Sequence, residues 1–297
     1  AIIGHGDISP EQEEEILVYG QNNLARYNCP KQIYVMQEYP KTKNGKVLRK
    51  TLVKNIHELE AQKDTLKPEI YRARRSMLYT SAGNKNHLNK ARTVLADAII
   101  FDVEELLQEE KETARQNLVD AFKQSSSFGY SERVLRVNAL GTAELEKDLA
   151  MARDLEFDAV LFPFIETAEQ VLEAGKLIQS MGKNWEFMIS IQTPLGVLNA
   201  PEICAACPTL KVIVIGTNTL ANRMQINIKK STNMISGYLS RVALAARAYG
   251  KVVIDGPFYN VGDEFSCEAS TKMAYELGFD GKALIHPVQI EYINDIF

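Results

Sequence analysis

Val212-Ile213-Val214-Ile215 runs directly into Gly216-Thr217-Asn218-Thr219: a β-branched stretch that stops at a glycine and a cluster of hydroxyl and amide side chains. So short and branched a run reads as a buried strand, because β-branched side chains suit a pleated surface and the stretch is too brief for a stable helix. Comparable runs recur at Ser76 to Tyr79, Ala98 to Phe101, Val134 to Val137, Ala159 to Phe162, Phe187 to Ile191, Val252 to Ile254 and Ala283 to Ile285. Between them lie helix-like stretches, among them Leu88 to Leu95, Glu104 to Lys123, Thr142 to Asp154 and Gly237 to Ala248. Eight strands alternating with helices is the count of a (β/α)8 TIM barrel, whereas an open doubly wound sheet rarely needs so many regular units. The last run leads into what reads as an eighth helix cut short, so further C-terminal residues are expected.

Barrel chemistry gathers where strands end, so the residues after each run are the candidates. They include Asp102, Glu104 and Glu105, Arg136 with Asn138, Pro163 to Glu166, Gln192-Thr193, Gly216 to Thr219, Asp255-Gly256 and His286-Pro287. Ahead of the barrel, residues 1–68 read as a small α/β unit: a helix from Ser9-Pro10 through Leu24, a strand Gln32 to Gln37, a glycine-containing loop and a helix from Val47 onward. Ser9 suits an N-cap and Pro10 the first helical position. A polar, charged stretch ending at Pro68 places the boundary there, with the barrel over 69–297.

The composition narrows the function. At 297 residues and 45% hydrophobic, the chain can bury one large core and a satellite. Its longest apolar runs fall far short of the roughly 18 residues a membrane span needs, and no signal-peptide pattern opens it, so the expectation is a cytoplasmic protein without membrane partners. A net charge of −4 argues against broad nucleic-acid binding. Cys204 and Cys207 have metal-ligand spacing but no second pair to complete a zinc site, which favours buried helix cysteines.

From Arg74 onward, ordered pieces of sequence resemble the citrate lyase β-subunit family, which includes malyl-CoA lyases: Arg74-Arg75-Ser76-Met77-Leu78-Tyr79, Ala96-Asp97-Ala98, Phe101-Asp102-Val103-Glu104-Glu105, Arg136-Val137-Asn138, Asp255-Gly256-Pro257-Phe258, Gly278 to Lys282 and Ile285-His286-Pro287. The resemblance implies carbon-carbon bond chemistry on an acyl thioester such as a coenzyme A ester, a magnesium ion held by a Glu and an Asp, an arginine steadying the enolate, and a trimer or hexamer. Such cleavage builds negative charge on a thioester oxygen, which a metal or guanidinium stabilises directly. Arg136 occupies the arginine position; an ion pair with Asp102 or Glu104 is its structural alternative. At the metal positions, however, stand Gln192 and Thr219, both neutral, and Phe164 replaces the lysine that usually follows Pro163. The expected metal set is therefore none and magnesium dependence is doubtful, since a hard divalent cation prefers charged oxygens. The expected catalytic residues are Arg136, Glu104 and Asp255, and the expected substrate-binding residues are Gln192, Thr219, Arg75 and Glu166.

Pro40-Lys41-Thr42-Lys43-Asn44-Gly45-Lys46, preceded by Asn23 to Lys31, resembles the closing motif of adenylate-forming acyl-CoA ligases. The resemblance implies that Lys46 matches the lysine that meets the acyl carboxylate and ATP α-phosphate. Only the distal part of a ligase C-terminal domain is covered. The expectation is a piece of a longer polypeptide that joins a ligase to the barrel, with a catalytically silent barrel or a ligase-regulating one as alternatives.

Overall fold

The computed structural model describes residues 73–124, 128–228 and 235–297, together with a few positions before residue 73. The chain divides into two compact units, Ala1–Arg72 and Ala73–Phe297.

Within the first unit, Ile2–Ile3 pairs in parallel with Val35–Met36, inside the expected strand. Lys41 bridges Val47 in antiparallel fashion, and the Leu48 amide donates to the Pro40 carbonyl at 2.8 Å. Val47 thus stands in a β-bridge where the sequence points to a helix start. Lys46 lies outside the described residues.

The second unit is a closed barrel of eight parallel strands: β1 (Ser76–Ser81), β2 (Ala98–Asp102), β3 (Glu132–Arg136), β4 (Ala159–Phe162), β5 (Glu186–Ile191), β6 (Leu210–Ile215), β7 (Val252–Asp255) and β8 (Gly281–Leu284), with β8 pairing β1 to close the ring. Helices α1 (Lys85–Ala91), α2 (Lys111–Gln124), α3 (Ala143–Arg153), α4 (Ala168–Ser180), α5 (Pro194–Leu198), α6 (Ala200–Ala205), α7 (Thr217–Arg223), α8 (Ser236–Ala248), α9 (Glu264–Glu276) and α10 (Ile290–Ile296) follow the strands. Caps set several of the starts: Thr142 accepts from the Leu145 amide, Thr167 and Gln170 form a reciprocal capping box, and Asp263 accepts from the Ser266 amide. The helix expected over Glu104 to Lys123 begins only at Lys111, because Asp102 bends the intervening loop.

Strand alternation divides the core in two. Met77, Ala98, Ile100, Val134, Ala159, Leu161, Met188, Val212, Val214, Ile254 and Ala283 fill the barrel interior, with Tyr79 packed against them. The alternate residues, such as Ile99, Phe101, Leu135, Val160, Ile189, Ile213 and Val253, face the helices. Phe101 packs edge-on against Phe122, Phe128 and Phe157 at centroid distances of 5.7, 4.8 and 5.8 Å, fixing α2 to the sheet. Where β8 meets β1, a side-chain carbon at Gly281 would collide with the Arg74 carbonyl, so the closing seam requires glycine.

Candidate active site

The interior row of each strand continues past the strand end into a cleft of about 200 Å³, lined by Tyr79, Glu104, Glu105, Arg136, Phe164, Gln192, Gly216 to Thr219, Pro257, Tyr259 and Ile285. Arg136 ends β3 on the same parity as Val134, so its side chain is carried into the interior. It is 6% exposed. Its guanidinium meets three carboxylates: Asp102 at 2.9 Å, Glu104 at 2.7 Å and Glu105 at 3.6 Å. The Tyr79 ring centroid lies 5.6 Å from the guanidinium carbon. Its Nε is buried and has no hydrogen-bond partner among the described residues. An unmet buried donor of this kind is costly and marks a place where an acceptor is missing.

Asp102 does two jobs. One oxygen accepts from the Glu104 and Glu105 amides at 2.9 and 3.3 Å, folding the loop after β2, while the other binds Arg136. The loop is braced from outside. Lys111 donates to the Glu104 carbonyl at 3.1 Å and bonds Asn138, whose amide groups donate to Asp148; Arg115 in turn binds Asp148 at 2.8 Å and Glu144 at 2.6 Å. Glu104 and Glu105 therefore stand on a loop tied to α2 and α3.

Burial works against the charge of Arg136, but Asp102, Tyr79, Glu104 and Glu105 more than restore it, so it stays protonated. Burial pushes the Glu104 carboxyl above its ordinary value against the pull of Arg136. The Tyr79 phenol is pushed far upward by burial, again against Arg136, and remains neutral. A neutral phenol, a fixed guanidinium and a carboxyl with raised proton affinity share one cleft; that combination can donate hydrogen bonds to an oxyanion and exchange a proton.

Gln192 continues the interior row of β5 beyond Ser190, to whose hydroxyl its amide nitrogen donates at 2.7 Å. It lies flat across Gly216, where an added side-chain carbon would come within 2.5 Å of the Gln192 Cγ. Thr219 lies in α7 beside it on the cleft wall. Phe164 adopts a left-handed backbone (φ 57°), uncommon for a bulky side chain, and stacks with Arg223 at 5.9 Å.

Three of the expected site residues are not brought to the cleft. Asp255 shares the outward parity of Val253, and it forms a buried ion pair with Lys282 of β8 instead; its other oxygen accepts from the Thr217 hydroxyl at 3.1 Å and the Gly256 amide at 2.8 Å. It positions the turn leading into α7. Arg75 precedes β1, at the opposite end of the barrel, and binds Asp97 at 2.9 Å. Glu166 does not line the cleft; its backbone bonds Gln170 and Asn199 between α4 and α5. Tyr79 and Tyr259 are cleft residues that the pattern of strand ends does not point to, although the parity of Tyr79 with Met77 places it inside.

The HpcH/HpaI aldolase/citrate lyase family profile matches residues 75–287. The chain belongs to this family. It is 34% identical over 223 residues to a (3S)-malyl-CoA thioesterase of Cereibacter sphaeroides, covering 75% of this chain and 76% of that protein. It is 31% identical over 234 residues to the citrate lyase β subunit of Leuconostoc mesenteroides, covering 76% and 77%. The crystal structure of the CitE protein of Mycobacterium tuberculosis with magnesium, acetoacetate and coenzyme A superposes with a TM-score of 0.64 at 25% identity, covering 75% of this chain and 80% of that one. The family includes citrate lyase β subunits and malyl-CoA thioesterases.

The donors at the two positions where the resemblance implies metal carboxylates are the neutral Gln192 and Thr219, and the Gln192 amide nitrogen is committed to Ser190. Among the described residues, no group of three His, Cys, Asp or Glu side chains could hold a metal ion. That donor set does not suit a hard divalent cation. Cys204 is buried in α6, its thiol pushed up to about 12 by burial, and Cys207 lies beyond the helix, bonded to Thr209. Among the described residues, no helix is long and apolar enough to cross a membrane.

Proposed function

We propose that the barrel makes or breaks a carbon-carbon bond next to an acyl thioester through its enolate, using its own side chains in place of a metal. The observation that carries this reading is the convergence of Arg136, neutral Tyr79 and Glu104 on one cleft, with an Arg136 Nε–H that lacks an acceptor among the described residues. In the cleavage direction, the Glu104 carboxylate takes the proton of the 3-hydroxyl and the C2–C3 bond breaks. The electron pair moves onto the thioester carbonyl oxygen, a carbonyl compound departs, and the proton returns from Glu104 to C2. Arg136 and the Tyr79 hydroxyl stabilise the enolate oxygen; donors aimed at developing charge are the largest single aid to such a step. Gln192 and Thr219 orient the substrate, and Asp255 and Lys282 act indirectly by holding the turn that carries Thr217 to Thr219.

The competing reading is a silent barrel that binds a thioester, favoured by the engagement of Arg136 with three carboxylates. Acetyl-CoA incubated with the protein in D2O separates the two, because the C2 hydrogens exchange only if an enolate forms, whatever the second substrate. Exchange followed by NMR, persisting in EDTA and slowed by about 10²-fold in Arg136→Lys, is the expected result. Its absence from the unaltered chain would leave the silent barrel. The ligase-like segment before the barrel supports the further proposal that the thioester is made on the same polypeptide, which raises its local concentration; a full-length chain whose coupled turnover equals that of the separated parts would count against it.

A further inference from the structure

The charges of the cleft select among acyl groups. Glu104 and Glu105 line it, Asp102 stands directly behind Arg136, and Arg136 is the sole cation among the described residues that line the cleft. Three carboxylates against one guanidinium leave this cluster formally negative. Both terminal nitrogens of Arg136 already face carboxylates, one Asp102 and Glu105 and the other Glu104, so the fork that would grip an incoming carboxylate is engaged, while the buried Nε–H has no hydrogen-bond partner among the described residues. One N–H matches one carbonyl or enolate oxygen. The remaining wall is uncharged: Tyr79, Phe164, Pro257, Tyr259 and Ile285 provide apolar surface, and Gln192, Thr217, Asn218 and Thr219 provide neutral donors and acceptors. Phe164 stands where the resemblance implies a lysine, so a position that would have supplied a cation supplies a ring.

Resting on the enolate reading above, we infer that the natural substrate is a short 3-hydroxyacyl thioester with no carboxylate on its acyl chain, and that the carbonyl compound released is an aldehyde or ketone and not a 2-oxo acid. A carboxylate on C3 would enter beside Glu104 and Glu105 with neither a metal nor a free guanidinium fork to meet it, and like charges brought together out of water repel strongly. A methyl or ethyl group in the same place rests against Phe164, Pro257 and Ile285. The cleft of about 200 Å³ is smaller than the roughly 300–1,000 Å³ of sites for drug-sized ligands, which restricts the acyl chain to a few carbons.

The test pairs 3-hydroxybutyryl-CoA with malyl-CoA, which differ only by a methyl group against a carboxylate on C3. Cleavage of the first gives acetyl-CoA and acetaldehyde, and cleavage of the second gives acetyl-CoA and glyoxylate. The expected result is a kcat/KM at least about tenfold higher for 3-hydroxybutyryl-CoA, unchanged by magnesium or EDTA, with Phe164→Lys narrowing the gap by improving malyl-CoA cleavage. Equal use of both, preference for malyl-CoA, or a gap that Phe164→Lys leaves untouched would overturn the inference. Exchange at C2 of acetyl-CoA with cleavage of neither thioester would also overturn it while the enolate reading stands. Absence of exchange would instead remove the reading beneath it.

Discussion

Arg74 and Arg136 occupy opposite ends of one barrel, each buried among carboxylates, and the difference in how they are held separates structure from chemistry. At the N-terminal end, Arg74 grips Glu132 with both arms of its fork, at 2.6 and 2.8 Å, and also bonds Glu186. The pair joins the segment before β1 to the first residues of β3 and β5 and plugs the floor. At the C-terminal end, Arg136 spreads its nitrogens over the carboxylates of Asp102, Glu104 and Glu105 and keeps an Nε–H without an acceptor among the described residues, beside an open cleft. A two-armed grip is a finished interaction. The spread, incomplete one leaves room for another participant.

The comparison breaks most readily at the floor. Arg74→Met leaves Glu132 buried without its arginine and should cost about 3–5 kcal/mol of unfolding free energy, measured by urea titration. An unchanged midpoint would mean the floor pair is dispensable. At the mouth, Arg136→Lys keeps a positive charge but loses the planar fork. C2 exchange should fall by about 10²-fold while the thermal midpoint moves far less than in Arg74→Met; equal losses of stability in both variants would erase the distinction between the two arginines.

Glu104 sharpens the contrast through pH. Its folded pKa lies above the unfolded value, so the folded chain holds this proton more tightly. The contribution to stability is fully present below the ordinary glutamate range and is lost as pH rises through the folded value. A general base needs the opposite form, so the exchange rate should climb with pH along a limb displaced above the ordinary glutamate range, and Glu104→Gln should remove the limb. A limb that survives in Glu104→Gln assigns the base elsewhere. Thr217→Val, which cuts the bond to Asp255, should cost about 1 kcal/mol and raise KM for the thioester more than it lowers kcat. The smallest effect concerns thiols: in the folded protein a maleimide probe should label Cys207 ahead of Cys204, whose thiol is buried and pushed up to about 12.

Much of the barrel was legible because apolar runs with turn residues after them are a local signal, and each of the eight expected runs overlaps an observed strand. Position at the mouth was legible only in part. A residue placed after a strand is at the right end, but which face it takes depends on parity, and parity divides Asp102 and Arg136, which follow the interior row, from Asp255, which follows the exterior one. Arg75 is misjudged for a different reason: a strand has two ends, and an arginine before the run stands at the floor. Tyr79 is overlooked because an aromatic residue inside an apolar run looks like packing until its neighbours across the barrel are known. The pairings themselves, such as Asp102 with Arg136 over 34 positions, follow from closure of the ring, which no local pattern encodes.

One detail recurs near the floor. Asp97, Asp158 and Asp280 each stand shortly before an even-numbered strand and accept the backbone amide near the start of the strand before it, from Arg75, Arg133 and Val253 respectively. These carboxylates couple β1 to β2, β3 to β4 and β7 to β8. Among the described residues the couple β5–β6 has no such clasp, and its ladder carries a register irregularity at Phe187 and Met188. Gln192 and Thr219, the neutral residues at the positions where the resemblance implies metal carboxylates, follow those two strands. The two neutral residues at the mouth thus stand beyond a couple whose start carries no carboxylate clasp among the described residues.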